Sequence, residues 1–274
     1  MTAGPILVDG VSMRSIRQIN ALPPEQKAEV YRSLIPDTLL AQFDIDPVTW
    51  TNADGVKLVS IEAAPGTSFL RIRIIPFPDF PDPLFQLELG DTGNNQLEVL
   101  LVMIADPHGE RFDVDRDWKG EPTKFGLMRR NLSEEERAMK AGLAPGQVRH
   151  GLRQMSHQRQ LVEEFAAGLG HEMYLANPLG YHSAIFLEWQ GFNYIRGRRK
   201  MEWIDRQFWP GGEIFRKLDG STPFRQLEMA HTVRGRSWAI HDGVLGQPWS
   251  DLEVRMFKRV GYHAGICTFP DATY

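Results

Sequence analysis

Residues 161–192 read LVEEFAAGLGHEMYLANPLGYHSAIFLEWQGF, and this stretch decides the fold class. Apolar residues at helical spacing run up to Gly168 and Gly170, where the glycines offer a helix stop. Met173, Tyr174 and Leu175 form a short apolar run of strand length, which Asn177 and Pro178 break. A second amphipathic helix then runs into Gly191-Phe192. The glycine supplies a left-handed helix cap, and the phenylalanine anchors the next strand in the core.

Working backwards, the spacing predicts a helix from about Gly146 to Ala167. Ser133 with Glu136 fits a capping box for a shorter surface helix. Leu97 to Ile104, LEVLLVMI, is a near-continuous apolar run, as expected of a strand buried on both faces. Pro107-His108-Gly109 turns the chain, and Phe112 and Val114 suggest a return strand. Residues 69–75 alternate cleanly, and Pro65-Gly66 marks a hairpin turn before them. Pro23-Pro24-Glu25 opens a helix, because proline suits the first turn and a carboxylate suits the positive helix end. Three segments follow: a helical extension over 1–50, an α+β core over 51–205, and an extension over 206–274 read as loops and short strands.

The chain has 274 residues and a formal net charge of -4, so no global positive field draws it to nucleic acid. The basic run Arg196, Arg198, Arg199, Lys200 reads as a solvated strand end. Its single cysteine, Cys267, excludes an internal disulfide and points to the cytoplasm. The N-terminus shows no secretory signal, and no apolar run approaches the roughly 20 residues of a membrane span. No membrane or nucleic-acid partner is expected. Oligomeric state is open, a homodimer included.

The order helix, strand, helix, Gly-Phe, strand resembles the acyl-coenzyme A binding half of the GNAT acetyltransferases, over about residues 145–200. The matching positions are Asn177, Ala184, Phe186, Glu188, Gly191 and Phe192. The resemblance implies a mixed central sheet flanked by helices and an N-acyltransferase acting from acetyl-CoA or another acyl-CoA. The acceptor would be a small-molecule amine, a peptide N-terminus or a lysine, held in this family by variable N-terminal helices and loops. The coenzyme A pyrophosphate would meet backbone N–H groups at a helix start, here Gly146, Gln147, Arg149, Gly151 and Leu152, with Asn177 beside the pantetheine. The loop lies some forty residues after the strand at Leu97–Ile104, where the family places it at once, so the resemblance implies that a segment near 118–142 loops out, or a shorter one if the strand pair is 97–105 and 110–117. Leu187 occupies the position of the family's proton-donating tyrosine. Tyr181, Tyr194 and His182 are the nearby substitutes, and Glu98 is a candidate base acting through water.

Two other readings use different residues. The fold could serve as a catalytically silent binding scaffold. A metal-dependent hydrolase could centre on Asp106, His108 and Asp113, though Arg111 and Arg116 interleave with these acids and favour surface ion pairs. No metal is expected for the transferase. His150 and His157, seven apart on the expected helix, would share a face. Trp203, Trp209, Trp238 and Trp249 are assigned first to core packing.

Overall fold

The computed structural model describes residues 4–123 and 130–274. In chain order it forms β1 (Leu7–Val8), β2 (Val11–Ser12), α1 (Ile16–Asn20), α2 (Pro24–Arg32), α3 (Asp37–Gln42), β3 (Val59–Glu62), β4 (Phe69–Ile74), β5 (Phe85–Asp91) and β6 (Leu97–Ile104). Then come α4 (Leu132–Lys140), α5 (Met155–Gly168), β7 (Met173–Ala176), α6 (Tyr181–Trp189), β8 (Asn193–Arg196), α7 (Arg198–Gln207), α8 (Glu213–Arg216), α9 (Val233–His241) and β9 (Arg255–Arg259). The protein is α+β, with a seven-stranded mixed sheet in the order β3-β4-β5-β6-β7-β9-β8. The chain divides into two compact units.

The first unit comprises Met1–Pro107, Gly151–Ala176 and Phe257–His263. Its strands β3 to β6 are antiparallel, and β4 alternates strictly between buried and half-buried residues. Leu70, Ile72, Ile74, Phe85, Leu87 and Leu89 are fully buried on one face. Ile16 and Ile19 of α1, Tyr31 of α2 and Val162 and Phe165 of α5 are buried too, and the Tyr31 and Phe165 rings lie 6.2 Å apart. The opposite face carries Glu62, Arg71, Arg73, Gln86 and Glu88. Asp91 at the end of β5 accepts from the Ile16 and Arg17 amides at 2.9 and 2.8 Å, so a sheet carboxylate caps α1.

The second unit comprises His108–His150, Asn177–Met256 and Ala264–Tyr274. Phe112, Val114, Ala138, Leu143, Phe224 and Trp238 form a core cluster there. The Trp238 indole donates to the Leu143 carbonyl at 2.8 Å, so the ring's polar end is satisfied inside the core. Arg130 joins Glu135 and Asp242, and Arg225 and Thr222 add to Asp242 at 2.8 and 2.9 Å.

Several expectations need correction. Phe112 and Val114 are core residues on irregular backbone, not a strand. Helix α4 has Asn131 as its N-cap, and Ser133 bonds the Asn131 side chain at 3.0 Å, so the capping box is not made. Residues 206–274 hold α8, α9 and two 3-10 turns, Leu227–His231 and Trp249–Leu252, rather than mainly strands. The two units cut across the segment boundaries at 50 and 205. Residues 108–150, which include 118–142, belong to the second unit. Residues 124–129 within it lie outside the described residues.

Candidate functional site

The first unit contains a place where two neighbouring strands part. β6 pairs with β5 along its length, but Leu101 opposes Glu88 while Val99 opposes Leu89. Leu100 is therefore an extra residue, a β-bulge that bends the strand and increases its twist. β7 runs parallel to β6 and pairs only at Glu98↔Leu175 and Val99↔Ala176. The pairing ends beside the bulge. Residues 100–104 have no strand partner on that edge among the described residues. Leu100 is exposed, and Leu101, Val102 and Met103 are half-buried, so β6 is not sealed on both faces as its sequence suggests.

The start of α5 belongs to the same unit. Gly151 re-enters it directly at the end of β6: a Cβ there would meet the Ile104 carbonyl oxygen at 3.1 Å, closer than side chains normally tolerate. Arg153 takes a φ of 59°, the left-handed region that most non-glycine residues avoid. Gln154 is the N-cap without a side-chain cap, and its amide oxygen accepts from Thr38 at 2.9 Å. The first helical bond runs from Gln158 N–H to the Gln154 carbonyl at 3.0 Å. The N–H groups of Met155, Ser156 and His157 therefore have no intrahelical acceptor. Gly151, Arg153 and Ser156 are exposed, so this positive helix end is open to solvent.

The sequence-predicted residues divide. Gly151 and Leu152 lie on the segment leading into α5, and Asn177, exposed, follows β7 at once. Gly146, Gln147 and Arg149 do not reach a helix start, because the helix begins at Met155 and not near 146. They form a turn in the second unit: Gly146 has a φ of 81°, the Gln147 side chain accepts from the Ala144 amide at 2.7 Å, and Arg149 donates to the Gly109 carbonyl. Glu98 is half-buried on β6 at one of the two positions paired to β7.

The tyrosines named as proton donors are engaged in the second unit. Tyr194 donates to Glu188, a carboxylate only 1% exposed that also accepts from the Thr268 amide and hydroxyl at 2.8 and 2.6 Å. Burial, and then the Glu188 charge, push the Tyr194 hydroxyl far above its usual range. Tyr181 is 1% exposed and accepts from the Arg236 guanidinium at 3.4 Å; burial raises it as well. Both hydroxyls are thus engaged by buried charged side chains. Arg236 is itself 0% exposed, bonded to Asp205 at 2.6 Å and the Ala230 carbonyl at 2.7 Å, with the Phe269 ring 3.5 Å from its guanidinium carbon.

Sequence reading missed a Ser–His pair. His182 Nδ1 and Ser237 Oγ share a 2.8 Å hydrogen bond between α6 and α9. Burial, then the positive charges of His241 and Arg234, push the His182 imidazole down to about 4, so it is neutral at pH 7. Fifty-five residues separate the two, and no motif flags such a pair. It missed also the polar ladder on the sheet of the first unit. There Arg71 bonds Glu88 and Glu62 at 2.7 Å each, Arg73 bonds Gln86 at 2.9 Å, and Gln86 bonds Glu88 at 2.7 Å. Alternation within each strand is legible, but which strands neighbour each other is not.

The remaining candidates resolve simply. Arg111 pairs with Asp113 and Asp115, the surface ion pairing expected of the acidic run. No group of three or more His, Cys, Asp or Glu side chains could hold a metal ion among the described residues. His150 lies in a loop while His157 is on α5, so they share no helix face. Cys267 is exposed. Trp238 is buried, whereas Trp203 is exposed and Trp209 and Trp249 are half-buried. No helix among the described residues is long and apolar enough to cross a membrane. Comparison with protein-family models, with curated proteins and with solved structures found no match.

Proposed function

We propose that the first unit carries an acyl-coenzyme A site of the GNAT kind, and that the protein is an N-acyltransferase. The observation that carries this reading is the parting of β6 from β7 after Val99 beside the open amides at the start of α5. A strand edge without a partner offers hydrogen bonds to an extended, amide-bearing arm such as pantetheine. A helix N-terminus with unpaired donors suits a diphosphate. Gly151 allows the loop to lie against β6, bringing the two features together. In chain order α5, β7, α6, Gly191-Phe192 and β8 follow the layout on which the resemblance rests.

In this reading the acyl carbonyl sits at the bulge. An edge amide meets the oxyanion as it develops, and Glu98 takes the acceptor's proton through water. Residues Met155, Ser156 and His157 bind the diphosphate in place of Gly146, Gln147 and Arg149.

The test is thermal unfolding with and without millimolar coenzyme A and acetyl-CoA. A ligand that binds only the folded chain, at about a hundred times its Kd, stabilises by about 2.7 kcal/mol, a rise of a few degrees in Tm. An unmoved Tm would remove the cofactor from the proposal.

The closed state of Tyr181 and Tyr194 favours a second reading, a binding protein of the same fold without turnover. A coenzyme A shift with no thiol release across a panel of amines selects it.

A further inference from the structure

The ladder on the polar face of the first unit's sheet lies beside the bulge. Registration sets Arg71 across from Glu88 and Glu88 across from Leu101; one step along, Arg73 faces Gln86 and Gln86 faces Met103. On β6 the same face therefore presents Glu98, Leu101 and Met103, and the Leu100 side chain lies where a Cβ on Gly90 would point, 3.3 Å away. The face combines an apolar strip with a fixed array of charge.

The two arginines differ in commitment. Arg71 holds two carboxylates at 2.7 Å. Arg73 is fixed through Nε on Gln86, a side chain 8% exposed and itself held by Glu88. Its Nη1 stands 3.7 Å from Glu62, a loose pairing, and its side chain is 39% exposed. Its Nη2 has no bond within hydrogen-bond distance among the described residues. The guanidinium is thus oriented by its inner edge and open along its outer edge. An arginine held this way is suited to a carboxylate, since its remaining donors form a planar fork whose orientation is already set.

We infer that the acyl acceptor is an amine bearing a carboxylate about four bonds away, with Arg73 holding that carboxylate on the sheet face. This rests on the acyl-transfer reading above. The spacing follows from the register: Arg73, on β4, reaches by Nε to Gln86 on β5, one strand from β6 and two residues along from Leu101 beside the bulge, which gives roughly 8–9 Å at about 4.8 Å per strand and 3.4 Å per residue. An arginine–carboxylate bond takes up about 3 Å of this, and the rest is the span from carboxylate to reacting nitrogen. The chain between them would lie on Leu101 and Met103. An ω-amino acid or the side-chain amine of a free diamino acid has this form, whereas an α-amine lies too close to its own carboxylate. In the reaction the free amine's lone pair forms the C–N bond, the C–S bond breaks, and the proton shed by nitrogen ends on sulfur. The products are an amide and a thiol.

The full chain is first titrated with coenzyme A alone, which reads the donor site without any acceptor. Thiol release from acetyl-CoA is then measured for glycine, 4-aminobutanoate, 6-aminohexanoate, 8-aminooctanoate and the acid-free hexylamine. The expected result is a kcat/KM for 4-aminobutanoate at least roughly tenfold above those for glycine, 8-aminooctanoate and hexylamine, about the size of one well-made charged hydrogen bond. Arg73→Met is expected to abolish that preference through KM, and Arg73→Lys to restore part of it. A coenzyme A response with equal use of all acceptors, or with no turnover, overturns the acceptor assignment and leaves the donor site standing. No response to coenzyme A overturns both.

Discussion

The two units treat their polar groups in opposite ways. In the second, Glu188 takes up three donors, Asp242 is shared by Arg130, Arg225 and Thr222, and Arg236 is buried against Asp205 and aromatic rings, its one unpaired nitrogen, Nη2, shut away from solvent. In the first, the start of α5 leaves three amides open, β6 keeps an unpaired edge, and Arg73 shows a free donor edge. Residue type does not separate the groups: a tyrosine suited to proton transfer is structural once its hydroxyl is buried on a carboxylate. Chemistry needs polar groups with capacity left over, and this contrast is what moves the candidate site from Tyr181 and Tyr194 to β6 and α5.

The sharpest way to break the contrast is Arg236→Ala. Removing one partner of a buried ion pair costs about 3–5 kcal/mol, read by urea denaturation. A loss below about 1 kcal/mol would mean that the second unit is not held by its sealed polar groups. Next comes pH. His182 titrates at about 4 when folded and near 6.5 when unfolded, so the unfolded chain binds more protons between these values. Its contribution is complete above about pH 6.5 and is lost as pH falls towards 4, a change of order 2 kcal/mol after allowing for the ring's residual solvent contact. Denaturation midpoints at pH 7.5 and 4.5 should narrow in His182→Phe; an identical slope in both proteins would clear the Ser–His pair. Below about pH 4, Glu135 and Asp242 add to the loss. Burial opposes their charge, but the bonds from His241 and Arg130, and from Arg130, Arg225 and Thr222, hold both carboxyls below their ordinary range.

Smaller effects sharpen the open side. Gly151→Ala should weaken coenzyme A binding about tenfold, roughly 1.4 kcal/mol, because the loop must retreat from Ile104. Calorimetry checks it, and unchanged affinity would detach the loop from the site. The smallest change expected is Tyr194→Phe, about 1 kcal/mol of stability with coenzyme A affinity unaltered. A variant that lost turnover at full stability would return Tyr194 to the chemistry.

Local chemistry was legible in the sequence wherever it acts over a few residues. The hairpin that turns at Pro65-Gly66, the strand at Met173–Ala176 and the Gly191 cap appear as read, and Leu97–Ile104 is a strand though not buried on both faces. The start of α5 was misplaced because Gly146 and Gly151 both resemble helix starts, and the one that matters is distinguished by the Ile104 carbonyl beside it. The helices of residues 206–274 were hidden because α9 is buried almost throughout, which erases the polar stripe that marks an amphipathic helix. The bulge at Leu100 and the neighbours of Arg73 depend on pairing, which no single strand records.

The excursion of residues 108–150 bears on biosynthesis. The first unit is assembled from three separate stretches, the last being Phe257–His263. A nascent chain emerging from the ribosome cannot complete its sheet until residue 263 has been made. Until then β6 and the newly made α5 wait with an unfinished partner, so this chain is a candidate for chaperone capture late in translation rather than early.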